Sequence, residues 1–277
     1  MESTLYFGGL LIKSIAFLGP KGTFTHEVAS FLGENLFSYC SIPSVLKAVE
    51  NGECDLGVVP IENSIEGPVG ITLDLLVHSK LYIQGEIVLP ISHNLITKRD
   101  CEIHDIKYVY SHPQALAQCQ SYLENRGLKP LFTLSTAAAV KLVVERNDSA
   151  AIGTLKAAQL YDLNILDKNI QDTDNNKTRF IILSKDFGLK SENNKTSILF
   201  ETYQDSPGEL YHILGFFANN NINLTKIESR PSKEGLGKYI FFLDFEGHKN
   251  DKVVKDILDK TRTKTSIMKV LGSYPSL

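Results

Sequence analysis

The sequence predicts an α/β protein with two lobes, followed by a smaller βαββαβ domain. Two observations support this fold class. Over 13–187, short apolar runs alternate with amphipathic helical segments, an order typical of parallel sheets covered by helices. After a polar linker the order changes to strand, helix, two strands, helix and strand over 195–277, which is the ferredoxin-like plait. We place one lobe at about 13–90 and 170–187, and the other at about 91–169.

In the first lobe, strands are predicted where an apolar run ends in a polar turn. The runs 14–18 and 55–61 are of this kind, and a helix is expected after the first of them over about 25–32. Ser44 is expected to cap a helix over 45–51, because a hydroxyl side chain at that position can accept from a free backbone N–H group.

The second lobe repeats this pattern. The extended segments 83–89 and 91–96 lead the chain across to it. Strands are then predicted at 108–110, 131–134 and 150–152, and each runs into a Ser, Thr or Gly residue and a helix. Helix N-termini carry unpaired N–H groups and partial positive charge, so several of them at one cleft favour a carboxylate-bearing small molecule. The alternative is that these residues cap helices for stability alone.

The segment 175–183 connects the predicted cleft to the core. Its first half is polar and its second half is apolar, which is typical of a strand that begins directly under a polar pocket. Taken alone, Thr178 and Arg179 at a strand start would be ordinary, and Asn175 and Asn176 ordinary turn residues. The rest of the chain favours a functional role for these residues.

Composition and motifs exclude several classes of function. A formal net charge of −3 gives no electrostatic footprint for nucleic acid, and no apolar run is long enough to span a membrane. The sequence contains no Gly-x-Gly-x-x-Gly, no Gly-x-x-x-x-Gly-Lys-Ser/Thr, no Cys-x-x-Cys and no His-x-x-x-His pattern. The apolar patch at 5–12 lacks the flanks of a signal peptide. We therefore expect a cytoplasmic protein with no cofactor and no metal.

A set of collinear motifs makes the chain resemble the prephenate dehydratase family, in the form that carries a C-terminal ACT domain. The resemblance runs from Ile15 to the C-terminus and rests on residues 19–24, 60–64, 111–119, 135–139, 176–180 and 222–231. It implies a periplasmic-binding-protein-like catalytic domain with a central cleft. The lead-in before Ile15 is too short for the chorismate mutase domain that some members carry, so a monofunctional enzyme is expected.

The resemblance also implies an activity, the loss of water and carbon dioxide from prephenate to give phenylpyruvate. By motif matching, the catalytic positions fall on Thr178, Asn63, Ser111 and Gln118. Thr178 is the candidate for hydrogen bonding or proton donation to the departing hydroxyl. The substrate-binding positions are Thr23, Ser64, Thr136, Arg179 and His112. Two of these have an alternative: strand alternation points Arg179 away from Thr178, where it would pin the cleft, and His112 is in a helix-capping position.

In the C-terminal domain the resemblance implies feedback control by L-phenylalanine, bound where two chains of a homodimer or homotetramer meet. The effector-binding positions are Gly208, Leu210, Asn223, Leu224, Glu228, Ser229 and Arg230. Glu209 departs from the Ala or Ser of many relatives, and its carboxylate could repel the effector. Two other functions stay open, the same chemistry on arogenate and non-catalytic sensing of an amino acid.

Overall fold

The computed structural model describes residues 14–204, 206–233, 235 and 237–276. The apolar patch at 5–12, which lacks the flanks of a signal peptide, lies outside the described residues. The strands, in chain order, are β1 (Ile15–Leu18), β2 (Leu36–Tyr39), β3 (Leu56–Asn63), β4 (Gly67–Pro68), β5 (Tyr82–Pro90), β6 (Asn94–Thr97), β7 (Tyr108–Ser111), β8 (Lys129–Phe132), β9 (Ser149–Gly153), β10 (Asn164–Asp167), β11 (Lys177–Ser184), β12 (Asn194–Thr202), β13 (Leu224–Pro231), β14 (Tyr239–Glu246) and β15 (Thr265–Pro275).

Helices connect most of these strands. They are α1 (Phe24–Leu32), α2 (Ile42–Asn51), α3 (Gly70–His78), α4 (Pro113–Ala117), α5 (Gln120–Asn125), α6 (Thr136–Val143), α7 (Leu155–Leu160), α8 (Glu209–Ala218) and α9 (Lys252–Arg262), with a turn of 3-10 helix at Ile103–Asp105. No helix in the described part of the chain is long and apolar enough to cross a membrane.

The sheet of the first lobe has the strand order β2-β1-β3-β11-β5, with β4 paired to β3. Strand β1 is parallel to β3, as predicted, and it is also parallel to β2. Strand β11 is antiparallel to both of its neighbours, so the expectation of a parallel sheet is wrong there. The physical reason is the path of the chain, because β11 re-enters this sheet from the other lobe and runs in the opposite direction.

The sheet of the second lobe has the order β10-β6-β9-β7-β8. Strand β7 is parallel to β8 and β9, whereas β6 is antiparallel to β9 and to β10. This sheet is therefore mixed as well. The lobes also touch through a hydrogen bond of 2.7 Å that Thr154 Oγ1 donates to the Gly22 carbonyl. Gly22 has a φ of +90°, and a Cβ there would lie 3.0 Å from the Ala157 methyl, so glycine suits this contact.

Two local predictions need correction. Helix α2 begins earlier than expected, because Ser41 and not Ser44 is its N-cap and accepts a hydrogen bond from the Ser44 N–H group. Strand β2 was not predicted, since none of its four residues is fully buried and the segment lacks the apolar run of a buried strand.

The C-terminal domain has the predicted βαββαβ order, which is confirmed. Its antiparallel sheet has the order β13-β14-β12-β15, and α8 and α9 pack on it through a separate apolar core that includes Ile213, Phe217, Leu243 and Phe245.

The other face of this C-terminal sheet packs against the first lobe. Leu271 and the fully buried Tyr274 belong to one apolar core together with Leu81 and Ile83 of the first lobe. Strand β15 approaches β5 so closely that a Cβ on Gly272 would lie 2.1 Å from the Ile83 carbonyl oxygen. Since the two units share a core, the position of the C-terminal sheet and the geometry of the first lobe are physically linked.

Candidate active site

A cavity of about 400 Å³ lies between the two lobes, a volume that suits a small organic ligand. Its lining is mixed, with both polar and apolar side chains. The polar residues that line it are Thr23, Thr25, Asn63, Glu66, His93, His112, Gln114, Gln118, Ser135, Thr136, Asn176 and Thr178. None of the described lining residues is Lys or Arg.

Asn63 and Thr178 form the centre of the site. They are cross-strand partners on β3 and β11, and Asn63 Nδ2 donates a 2.9 Å hydrogen bond to Thr178 Oγ1. The orientation of the amide is fixed from the other side, because Asn63 Oδ1 accepts from the backbone N–H groups of Ile65 and Glu66 at 3.0 and 2.9 Å. In the described part of the chain the Thr178 hydroxyl only accepts. Its own proton is therefore available to a ligand in the cavity.

A row of amide and imidazole groups continues from this pair across the cleft. Asn63 Nδ2 also donates to Asn176 Oδ1 at 2.6 Å, and Asn176 Nδ2 donates to Gln118 Oε1 at 3.0 Å. The same Gln118 oxygen lies 2.8 Å from His93 Nε2. Because that oxygen can only accept, His93 must carry its proton on Nε2. Thus residues from both lobes hold one hydrogen-bonded network.

Two atoms of this network have no hydrogen-bond partner among the described residues. His93 Nδ1 and Gln118 Nε2 are buried and form no hydrogen bond to the described residues. Buried polar atoms are nearly always paired, so these atoms are places for a ligand or a water molecule. One of these atoms is an acceptor and the other is a donor.

His93 was not found by sequence reasoning. It is 3% exposed and lies in the short segment that connects β5 to β6, and in the sequence it is an isolated His rather than one of a metal-ligand pair. Burial lowers the pKa of His93, and its hydrogen bond to Gln118 opposes this effect only in part. The imidazole is therefore neutral at physiological pH.

Helix N-termini supply the positive side of the cavity. Thr23 is the N-cap of α1 and accepts from the His26 N–H group at 3.3 Å. Ser135 caps α6 by accepting from the Ala138 N–H group at 3.0 Å, and Thr136 is the first residue of that helix. Both helix ends line the cavity, so their free N–H groups and dipoles can bind an anion in the absence of a cation there.

Two predicted site residues, Ser111 at the end of β7 and His112 directly after it, form hydrogen bonds that stabilise the local structure. Ser111 is completely buried and donates to the Ile152 carbonyl oxygen at 2.7 Å, so it does not line the cavity. His112 is the N-cap of α4, as the alternative interpretation expected, with Nδ1 accepting from the Gln114 N–H group at 3.3 Å. Its ring also lines the cavity, so capping and ligand contact are compatible.

The structure does not bring Ser64 or Arg179 to the cavity. Ser64 Oγ donates to the Asn175 carbonyl and accepts from the Lys177 N–H group, both at 2.9 Å, which fixes the turn before β11. Arg179 lies on the opposite face of the sheet from Thr178, because successive residues of a strand alternate. Its assignment to substrate binding is therefore corrected to the alternative, a residue that holds the sheet behind the site.

The predicted effector positions fall into two groups. Gly208 and Leu210 line a separate cavity of about 420 Å³ in the C-terminal domain, together with Glu209. The others lie on or beside the edge strand β13: Asn223, Leu224, Glu228, Ser229 and Arg230. Within one chain these five do not line that cavity.

Two of the second group have partners. Asn223 Nδ2 donates to Glu246 Oε1 at 2.9 Å. Arg230 pairs with Asp74 of α3 at 3.3 Å, so this guanidinium contacts the first lobe.

Comparisons with known proteins agree with these observations. Residues 15–187 match the family profile of prephenate dehydratase, and 196–263 match that of the ACT domain. A prephenate dehydratase of Methanocaldococcus jannaschii is 47% identical over 274 residues, covering 95% of this chain and 98% of that protein.

Solved structures are similar over the whole fold. A prephenate dehydratase from Arthrobacter aurescens in complex with L-Phe has a TM-score of 0.86 at 33% identity, covering 95% of this chain and 90% of that one. A protein described as GqqA, a novel type of quorum quenching acylase, has a TM-score of 0.87 at 29% identity, covering 96% and 98%.

Proposed function

The chain belongs to the prephenate dehydratase family, and we propose that it is a carbon–oxygen lyase that converts prephenate to phenylpyruvate in L-phenylalanine biosynthesis. The observation that supports this reaction best is the pair of Asn63 and Thr178. Asn63 donates to Thr178, so the Thr178 hydroxyl offers its own proton to the cavity.

The reaction needs that proton at one place. The bond between the ring and its carboxylate breaks, its electron pair completes the aromatic ring, and the ring hydroxyl departs. Prephenate dianion and one proton thus give phenylpyruvate anion, water and carbon dioxide. A hydrogen bond from Thr178 stabilises the departing hydroxyl. Since an unperturbed alcohol is a weak acid, Thr178 acts as a donor and relay rather than as the final proton source.

The remaining cavity residues position the substrate. The N-termini of α1 and α6, at Thr23 and Thr136, bind the two carboxylates through backbone N–H groups and helix dipoles. Gln118 and neutral His93 are hydrogen-bonded to Asn63 through Asn176, and this network orients the Asn63 amide. Holding the reacting groups in line supplies a large part of the rate enhancement.

One observation keeps arogenate as a second candidate substrate. Arogenate carries an ammonium group where prephenate has a keto group, and the carboxylate of Glu66 lines the cavity. Steady-state assays with both compounds decide between them, and Glu66→Gln is the matched variant. A preference for prephenate that Glu66→Gln leaves unchanged supports the proposal. Consumption of neither compound above the buffer blank refutes it and favours the non-catalytic amino-acid sensor.

An acylase activity has less support from this cavity. Acyl transfer by a hydroxyl nucleophile needs a base within hydrogen-bond reach. Among the described residues no Ser or Thr hydroxyl of the cavity bonds to a His ring, because His93 bonds to Gln118 and His112 to the Gln114 N–H group.

For regulation, we propose that L-phenylalanine binds the ACT domain and lowers turnover, in a cytoplasmic homodimer or homotetramer. Gly208 and Leu210 lie at a cavity of suitable size, and a similar protein was solved with L-Phe. Calorimetry with L-phenylalanine on the full chain tests this, with Gly208→Val as the variant that should lose binding. Gly208 has a φ of +93°, which a β-branched residue rarely adopts. Removal of the whole domain is a poor test, because Tyr274 would leave the shared core.

A further inference from the structure

The C-terminal domain contacts the strands that carry Asn63 and Thr178, on the face of the sheet opposite to the cavity. On β3 and β11 the cross-strand pair next to Asn63 and Thr178 is Glu62 and Arg179. Because neighbouring residues of a strand point to opposite faces, the first pair faces the cavity and the second faces the other side of the sheet. The C-terminal sheet lies on that side.

All three guanidinium nitrogens of Arg179 form hydrogen bonds, and two of them bond across this boundary. Nε donates to Glu86 Oε2 at 2.6 Å, Nη1 to Asp244 Oδ2 at 2.6 Å and Nη2 to the Tyr274 hydroxyl at 2.9 Å. Glu86 belongs to β5 of the first lobe, whereas Asp244 and Tyr274 belong to β14 and β15. The side chains of Arg179, Glu86 and Asp244 are 11%, 2% and 9% exposed.

Burial by itself would lower the pKa of Arg179, but Asp244, Tyr274 and Glu86 outweigh it and raise the pKa above its ordinary value. The guanidinium is therefore a permanent charge at this boundary. A charged group that donates three short hydrogen bonds in planar geometry has little freedom to move.

Glu62, whose side chain is 38% exposed, forms an ion pair of 2.7 Å with the buried Nζ atom of Lys226 of β13, and this ion pair lacks hydrogen-bond geometry. A further ion pair joins Glu86 to Lys195 of β12.

The charges of this cluster balance only across the boundary. The first lobe contributes Arg179, Glu62 and Glu86, a net charge of −1. The C-terminal domain contributes Lys195, Lys226 and Asp244, a net charge of +1. Each half lacks a partner without the other, so the cluster fixes the C-terminal sheet against β3, β5 and β11.

We propose that Glu62 and Arg179 are positioning residues that couple the catalytic pair to the ACT domain, and that L-phenylalanine lowers turnover by shifting Lys226 and Asp244 against them. This inference rests on the proposed function. A displacement of Glu62 relative to Arg179 changes the alignment of the same two strands at Asn63 and Thr178, one residue away. Small errors in the placement of reacting groups cost large factors in rate.

Other contacts between the domains do not reach this position and provide a control. Lys233 pairs with Asp74 of α3 at 2.8 Å and is largely exposed. Lys269 donates to the carbonyl oxygens of Leu76 and Ser79 at the end of the same helix. A variant at Lys233 therefore removes a contact between the domains and leaves the cluster intact.

The test compares Asp244→Asn and Lys226→Gln with Lys226→Arg and the control Lys233→Gln in the full chain. We expect Asp244→Asn and Lys226→Gln to lower kcat at least about fivefold with little change in KM. Saturating L-phenylalanine should then inhibit them less than about twofold, although calorimetry still shows that it binds. Lys226→Arg should restore most of the inhibition, and Lys233→Gln should behave as the wild type.

A second measurement uses only the wild-type protein, so it tests the proposal even where the variants do not fold. Hydrogen exchange of the wild-type protein with bound L-phenylalanine should change at β3 and β11 and stay unchanged at β7 of the other lobe. The proposal is overturned if Asp244→Asn and Lys226→Gln both keep wild-type kcat and inhibition, or if exchange at β3 and β11 does not respond to bound L-phenylalanine. A wild-type protein that does not turn over prephenate refutes the proposed function instead, and the exchange experiment still decides the coupling.

Discussion

Thr178→Val removes one hydroxyl from the site and keeps the shape of the side chain. We expect it to lower kcat for prephenate by at least about a hundredfold, the lower range of what a positioned proton donor contributes. This corresponds to about 2.7 kcal/mol of transition-state stabilisation. KM should change little, because the carboxylates are bound elsewhere in the cavity.

The structure also predicts that the variant folds normally. The hydroxyl of Thr178 is one of several acceptors for Asn63 Nδ2, which keeps Asn176 Oδ1 at 2.6 Å and the Lys177 carbonyl at 3.2 Å. No buried donor is left unpaired, so the free energy of unfolding should change by no more than about 1.5 kcal/mol. A large loss of rate with a small loss of stability separates a catalytic role from a structural one.

The assay measures phenylpyruvate formation under saturating prephenate, together with urea unfolding of the same preparation. Thr178→Ser is the matched control, because it keeps the hydroxyl and should retain most of the activity. The reasoning about Thr178 is refuted if Thr178→Val keeps kcat within about threefold of the wild type while the protein is folded.

Three further predictions follow from the described contacts. The free energy of unfolding should fall as pH drops below about 6.5, because burial lowers the pKa of His93 and the unfolded chain therefore takes up the proton first. Above that pH the imidazole is neutral in both states, and its contribution to stability is fully present. Urea titrations between about pH 7 and pH 5 should show that the free energy of unfolding of His93→Gln depends less on pH than that of the wild type. Arg179→Gln should lower the free energy of unfolding by about 3 kcal/mol or more, since it leaves the buried Asp244 without its cation, and a loss below about 1 kcal/mol in urea would contradict the description of the cluster. Activity should survive exhaustive dialysis against EDTA without added nucleotide, whereas strict dependence on a metal ion would contradict the proposed mechanism.

The sequence was most informative where local pattern and geometry coincide. The change from polar to apolar residues at 175–183 predicted a strand that begins under the cavity, and β11 begins there, at Lys177. Strand alternation already indicated that Arg179 points away from Thr178. The partners of Arg179 could not be predicted in this way, because Asp244 and Tyr274 come from strands 65 and 95 residues further along the chain.

Other features depend on the three-dimensional path of the chain. His93 gains its significance only when the crossing after β5 places it 2.8 Å from Gln118, and an isolated His has no sequence signature for such a role. The residues of β11 do not indicate its direction either, because an apolar run is equally compatible with a parallel and an antiparallel sheet. Six of the residues that the motifs assign to the site line the cavity, and their roles in catalysis and binding stay predictions: Thr23, Asn63, His112, Gln118, Thr136 and Thr178.

The most direct test of the proposed site is a crystal structure of Thr178→Val, as a slow variant, with prephenate bound. We expect the departing hydroxyl of prephenate within about 3.5 Å of the side chain at position 178, with the two carboxylates at the N-termini of α1 and α6. Prephenate bound with that hydroxyl directed away from position 178, or bound outside the cavity between the lobes, would contradict the proposed mechanism.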